Sequence, residues 1–212
     1  MFTGLVEEVG TLRTLRVGAQ SALLDVRARS VPDDLAVGDS VLTDGVCLTV
    51  TAVRRDGFTA DVMPETVRRT TLVERRPGDR LNLERAMTLH ARLGGHLVSG
   101  HVDGVGVVTR VASEDNAVVV DLEAPPPVAR VSVPQGSIAV DGVSLTVVQV
   151  DGEALRVSLI PHTAAVTTLS RLKPGARVNL EGDLIAKYVQ AFVERRRPPE
   201  GLTWEKLAEA GF

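Results

Sequence analysis

A single cysteine in 212 residues has no partner within the chain, which excludes an intramolecular disulfide framework and any multi-thiolate zinc site. Aromatic residues are almost as scarce, 3% against 44% hydrophobic, so Val, Leu and Ala must fill the core. Only four histidines occur, and none stands in an HExxH or similar spacing, so no metal is expected. No apolar run reaches the roughly 18 residues of a membrane span. MFTGLVEEVG carries acids where a signal peptide carries basic residues, so a soluble, cytoplasmic protein is expected. A net charge of −3 gives no electrostatic footprint for nucleic acid or an anionic membrane. The one basic run, residues 195–197, lies beside Pro198 and Pro199 and reads as a solvated helix end. GxSxG, P-loop and dinucleotide fingerprints are missing, and the GVG at 104–106 falls inside a strand pattern.

What the chain does contain is itself, twice. DGVCLTV (44–50) returns as DGVSLTV (141–147), an offset of 97 at which Cys47 becomes Ser144. At that offset 18 of the 41 positions from Asp44 to Glu84 are identical without a gap, far beyond chance. TGLVEEVG (3–10) also lies over SGHVDGVG (99–106) at an offset of 96, so one residue was gained or lost in a surface loop between the two stretches. A period this long exceeds that of solenoid repeats and indicates a duplicated domain. The organisation expected is two homologous domains, 1–96 and 97–183, followed by a tail, 184–212.

Each copy reads as all-β. Short β-branched segments at 22–27, 40–43, 48–53 and 58–62 alternate with turn residues, and Asp56-Gly57 and Asp151-Gly152 are hairpin signals. A small barrel or a sandwich satisfies this pattern. Residues 70–73 and 167–172 suggest short helical turns. In the tail, Leu184, Ile185, Tyr188, Val189, Phe192 and Val193 recur at helical spacing, predicting an amphipathic helix over 184–196. Its apolar stripe could pack on its own barrels or on another subunit. A second short helix, TWEKLAEA, is expected after Thr203.

Taken singly, the chemically capable residues have modest explanations. Cys47 could be a small core hydrophobe, and His96 and His101 could be loop histidines bonded to carbonyls. Asp44 and Asp141 precede glycines and so suit tight turns. Asp183 suits the N-terminus of the tail helix.

Taken together, MFTGLVEEVG, GGHLVSGHVDG, the DGVCLTV/DGVSLTV pair, IPHT-x(3)-TTL and PGARVNLEGD resemble the riboflavin synthase family from end to end. The resemblance implies two tandem six-stranded Greek-key β-barrels and a C-terminal α-helix that assembles a homotrimer. It implies one 6,7-dimethyl-8-ribityllumazine per barrel and no cofactor, with a four-carbon unit passing between two such molecules. Lumazine synthase is a further partner it suggests. A lumazine- or flavin-binding carrier is the alternative within the same fold. For the first site the resemblance points to Gly4, Leu5 and Val6, to Cys47, Leu48 and Thr49, and to Asp61, Val62, Met63, Pro64, Glu65 and Thr66, with Phe2 and Ser40 beside them. For the second it points to Gly100, His101 and Val102, to Ser144, Leu145 and Thr146, and to Ser158, Leu159, Ile160, Pro161, His162 and Thr163. His101 is the expected proton-transfer group, with Thr3, Ser144, Thr146 and Asp183 as a polar frame. Cys47 is either a nucleophile or a polarisable neighbour, and His96 is structural support. Gln135, where many relatives have lysine, and His162, opposite Glu65 of the first copy, are departures.

Overall fold

The computed structural model describes residues 1–18 and 21–195. Strands β1 (Glu8–Val17), β2 (Ala22–Arg27), β3 (Ser40–Thr43), β4 (Val46–Arg54), β5 (Gly57–Val62) and β6 (Arg80–Arg85) come from the first copy. They close into an antiparallel barrel in the order β1-β2-β5-β4-β3-β6. Strands β7 (Gly104–Glu114), β8 (Ala117–Glu123), β9 (Ser137–Val140), β10 (Val143–Asp151), β11 (Ala154–Leu159) and β12 (Arg177–Gly182) close a second barrel with the same connectivity. The barrel alternative is therefore the correct one, and the duplication extends to details. Register shifts fall at Leu12/Thr14 and Val50/Ala52 in one copy and at Val108/Arg110 and Val147/Gln149 in the other. Such bulges bend strands into closure.

Alternation builds each core. In β4, Val46, Leu48 and Val50 are buried while Thr49 and Thr51 face outward, as period-two side-chain geometry requires. Both hairpins signalled by Asp-Gly form. Short helices α1 (Pro64–Arg69) and α3 (Pro161–Val166) follow β5 and β11, each with proline in its first turn. The helical turns expected next are 3-10 turns, Thr71–Glu74 and Thr168–Arg171. Thr70 and Thr167 cap them from the backbone amides of Leu72 and Leu169, and donate back to the carbonyls of Thr66 and Thr163 at 2.7 Å. The repeated Thr-x(3)-Thr-Thr-Leu thus has a local structural reason. A further short helix, α2 (Pro126–Ala129), precedes β9 in the second copy.

The two barrels meet back to back at the tips of the β3–β4 and β9–β10 turns. Asp44 and Gly45 have φ of 45° and 82°, and Asp141 and Gly142 have 44° and 78°, the left-handed pair of a type I′ hairpin. A Cβ on Gly45 would stand 2.8 Å from the Gly142 nitrogen, and one on Gly142 would stand 2.8 Å from that of Gly45, so glycine is required at both. Asn82 Nδ2 donates to the Asp141 carbonyl at 2.9 Å, and Asn179 Nδ2 donates to the Asp44 carbonyl at 2.7 Å. Their amide oxygens accept from the backbones of Thr168 and Thr71, so each asparagine binds the opposite copy twice. A small apolar cluster of Phe2, Leu42, Val98 and Ala139 completes the joint.

The tail helix α4 runs over Leu184–Arg195, with no buried residue. Asp183 caps it, accepting from the backbone amides of Ile185 and Ala186 at 2.8 and 3.0 Å. Lys187 ties it to Asp103 at 2.9 Å. Ile185, Tyr188, Val189, Phe192 and Val193 are all exposed, so this chain's own barrels do not cover the stripe. Arg196, the double proline and the TWEKLAEA helix lie outside the described residues. Among the described residues no helix is long and apolar enough to cross a membrane.

Candidate active site

The candidate residues gather on the outer faces of two equivalent three-strand patches. On β3, β4 and β5, Ser40 lies opposite Thr49 and Thr49 opposite Asp61, making one row across three strands, with half-buried Cys47 on the same face of β4. On the second barrel, Ser144 and Thr146 hold the corresponding places on β10, and Ser137 lies opposite Thr146. Ser137 is the counterpart of Ser40 and was not among the sequence candidates, although the offset of 97 points straight to it. Leu48, Val62, Leu145 and Leu159 alternate inward and are buried, so their side chains support these patches from within the barrels.

One grouping made from sequence is corrected by the fold. The segments that cover the patches are exchanged between the copies. The linker, not the N-terminus, covers the first barrel: the Cys47 amide donates to the Gly100 carbonyl at 2.9 Å, and Val102 packs on that barrel's core. The N-terminal segment covers the second: the Ser144 amide donates to the Gly4 carbonyl at 2.8 Å, and Val6 packs on the second core. Gly4 and Gly100 have φ of +75° and +79°, and a Cβ on either would come within 2.6 Å of the Cβ of Ser144 or Cys47 respectively. A shared linear order had suggested that each segment serves the barrel that follows it. The packing of Phe2 against Val98, an antiparallel bridge on the pseudo-twofold axis, sends each segment across to the other barrel.

Two glutamates from the repeated NLE motif hold these segments. Glu84 accepts from the Thr3 amide and hydroxyl, each at 2.6 Å, and from the Gly4 amide at 2.9 Å. Glu181 accepts in the same manner from the Ser99 amide and hydroxyl and from the Gly100 amide. Burial pushes the Glu84 carboxyl above its ordinary value, and the Thr3 and Gly4 hydrogen bonds oppose that shift. These anchors were visible only as repeated identities; their chemical use required the fold.

Over the first patch, Cys47, Glu65, Thr66, Arg69, Thr70, Gly100, His101 and Val102 line a cavity of about 180 Å³. His101 is exposed there, near the thiol. Glu65 is exposed at this mouth and holds both Arg68 and Arg69, and Met63 is exposed just before α1. The corresponding α3 carries Pro161, His162 and Thr163 followed by apolar residues, and Ile160 is exposed before it, so the second mouth has no ion pairs among its described residues. Ser158 on β11 is partly buried. Gln135 is exposed with φ of 65°, where the first copy has Gly38 with φ of 98°, so the lysine-to-glutamine departure sits on a left-handed turn. Thr3, Leu5 and Ser40 line a separate cleft of about 660 Å³ on the first barrel.

Over the second patch the key contact is between His96 and Ser144. Nδ1 of His96 and Oγ of Ser144 lie 2.7 Å apart, and the imidazole is buried. Burial pushes its pKa down, while nearby Asp183 pulls in the opposite direction. Nε2 is buried with no partner among the described residues. His96, assigned a supporting role from sequence, is thus the histidine bonded to the candidate hydroxyl, and Asp183 is near enough to act on it. The imidazole and the hydroxyl bonded to it can exchange a proton at this patch. The first patch has a thiol and an exposed imidazole instead. The same surface, written twice, therefore carries two different sets of side chains.

Comparison with known proteins agrees with this geometry. The sequence profile of the Lumazine binding domain matches residues 3–86 and 99–183. A riboflavin synthase of Bacillus subtilis (strain 168) is 41% identical over the full length of both chains. One of Mycobacterium tuberculosis (strain ATCC 25618 / H37Rv) is 50% identical over 90% of this chain and 96% of its own. Among solved structures, LumP complexed with riboflavin superposes with a TM-score of 0.80 over 86% of this chain and 99% of its own, at 22% identity, a likeness of fold. Two lumazine-binding repeats and relatives of one kind along the whole length place this chain in the riboflavin synthase family.

Proposed function

We propose that the protein is a riboflavin synthase, converting two molecules of 6,7-dimethyl-8-ribityllumazine to riboflavin and 5-amino-6-ribitylamino-uracil. The observation that carries this reading is the paired but unequal patches. A dismutation places identical molecules in opposite roles, so only the protein can make them different. Cys47 with His101 on one side and Ser144 with His96 on the other are a means of doing so. The transfer of a four-carbon unit from one molecule to the other balances with no external oxidant or cofactor. The C7 methyl of the lumazine is acidic because its carbanion delocalises into the ring. The protein's work is then to stack two rings in opposed orientation and to move protons at the methyl, and positioning of this kind contributes several kcal/mol, of order 7–11 in favourable cases.

Within one chain the two patches belong to different barrels joined back to back. A subunit interface that brings the first patch of one protomer against the second patch of a neighbour gives the two lumazines a shared site. The exposed apolar stripe of α4 is what supports a homotrimer of this kind. A cytoplasmic location accords with the same reading, and docking with lumazine synthase would place the substrate's source beside it.

The test is incubation of the purified protein with 6,7-dimethyl-8-ribityllumazine and no additive, following riboflavin fluorescence. Riboflavin should form, with one uracil product for each. Tight lumazine binding without turnover would instead make the protein a carrier, and no binding would sink both readings.

A further inference from the structure

The joint between the barrels holds charged groups that the chemistry described so far does not use. Asp44 and Asp141 open the two tight turns that meet there, and both are buried. Each carboxylate commits one oxygen to its own barrel. Asp44 Oδ1 accepts from the Asn82 amide at 2.8 Å, and Asp141 Oδ1 accepts from the Asn179 amide at 2.7 Å. The other oxygens meet at one guanidinium: Nη2 of Arg75 lies 2.8 Å from Asp44 Oδ2 and 3.5 Å from Asp141 Oδ2. No other ion pair among the described residues reaches either turn. Arg75 comes from the first copy alone, because its counterpart, Leu172, packs on the second barrel's core. One cation therefore holds two carboxylates of opposite copies. Burial, and then Asp44, push the Asp141 carboxyl up to about 8, so at neutral pH a proton on Asp141 balances the set. The other charges nearby are engaged elsewhere. Asp79, in the turn before β6, accepts the Arg76 amide at 2.7 Å, and Glu74 is taken by Arg177. Without Arg75, Asp44 would be a buried charge with no partner, an arrangement far less favourable than the pair.

We propose that Arg75 is a positioning residue for riboflavin formation, drawing the Asp44 and Asp141 turns to one point and so setting the angle between the two patches. This inference rests on the function proposed above. Cys47 lies three residues beyond Asp44 and Ser144 three beyond Asp141, on strands that leave those turns directly. A shift of either turn is therefore carried into its patch. In a ring of subunits each shared site takes one patch from each of two chains, so the angle held within a chain decides whether patches of neighbours meet squarely. Each patch binds its own ring without help from the other, whereas the transfer needs both rings in register. Misplacement by about 1 Å costs on the order of 10²-fold in rate. Arg75, remote from both rings, thus acts on turnover and not on binding.

Steady-state kinetics of the full chain at pH 7, with riboflavin affinity read by quenching of its fluorescence, test this in Arg75→Leu, which writes the second copy's residue into the first. Its kcat should fall at least tenfold, while KM for the lumazine and the riboflavin affinity stay within twofold. Arg75→Lys, which keeps a cation in the joint, should recover most of the loss. Asp44→Asn keeps the acceptor for the Asn82 amide and removes only the charge. It should lower kcat to the same degree, and its combination with Arg75→Leu should lower it no further, since both act through one contact. Should Arg75→Leu fail to fold, Asp44→Asn decides by the same two readings. Wild-type kcat in either single variant, binding lost in step with turnover, no recovery by lysine, or losses that multiply in the double variant each overturn the role. Absence of riboflavin formation in the wild type overturns the reaction itself, and this role with it.

Discussion

At the scale of single residues, Ser144 and Cys47 hold equivalent places on equivalent strands yet have different neighbours. His96 Nδ1 lies 2.7 Å from the Ser144 hydroxyl, while His101 is exposed beside the thiol. If the histidine and serine act as one proton-handling unit, their substitutions are not additive. His96→Gln and Ser144→Ala should each lower turnover by about 10²-fold, and the double variant by no more than either alone. Rates that multiply in the double variant would separate the two residues. Asp141 gives a second expectation at this scale. Its carboxyl is pushed from 3.8 up to about 8, and that of Asp44 up to about 6, both chiefly by burial. Between these limits the folded chain holds protons that the unfolded chain has released, so this pair makes stability fall as pH rises from about 4 to 8 and then level off. Urea midpoints at pH 5, 7 and 9 should therefore decline less in Asp141→Asn than in the wild type. Parallel declines would show that Asp141 does not hold that proton.

At the scale of elements, α4 is the part of the chain whose place is not explained by its own barrels. Its cap on Asp183 and its ion pair from Lys187 to Asp103 fix its start, and such a cap contributes about 1 kcal/mol. Its apolar stripe nevertheless faces outward. A chain ending at Glu181 should sediment as a monomer and lose nearly all riboflavin formation while keeping both barrels by circular dichroism. A truncated chain that remains trimeric would remove the role given to the helix. The sequence disclosed the helix itself through the spacing of Ile185, Tyr188, Val189, Phe192 and Val193, but not whether the stripe was covered. Hydrophobic periodicity shows that a face must be buried somewhere, and only coordinates show that these side chains stay exposed among the described residues.

At the scale of the whole molecule, the two barrels are joined by polar groups that each copy lends to the other. Asn82 satisfies the carbonyl of Asp141 and the amide of Thr168, both on the opposite copy. Asn82→Ala leaves the buried Asp141 carbonyl and the partly buried Thr168 amide unmatched, and at about 1–3 kcal/mol each the chain should lose roughly 2–6 kcal/mol in chemical denaturation. A loss below 1 kcal/mol would mean that water replaces the asparagine and the joint is loose. The exchanged covering segments belong to this scale too. Gly4 lies over Ser144 and Gly100 over Cys47, so neither patch is complete within a single copy.

The sequence by itself determined the duplication, the strands, the hairpins, a short helical turn near 70–73 and near 167–172, and the tail helix. All of these rest on local pattern: period two, period 3.6, turn chemistry and an ungapped repeat. The short helices before those turns came only with the structure. It also marked Cys47, Ser144, His96, His101 and Asp183 as residues to place. What only the tertiary structure decided was who meets whom. It set His96 rather than His101 against the hydroxyl, exchanged the covering segments and buried Asp44 and Asp141 against Arg75. Those contacts join residues 31 to 140 positions apart, most of them across a pseudo-twofold axis, and no pattern along the chain records on which side of such an axis a segment will fall.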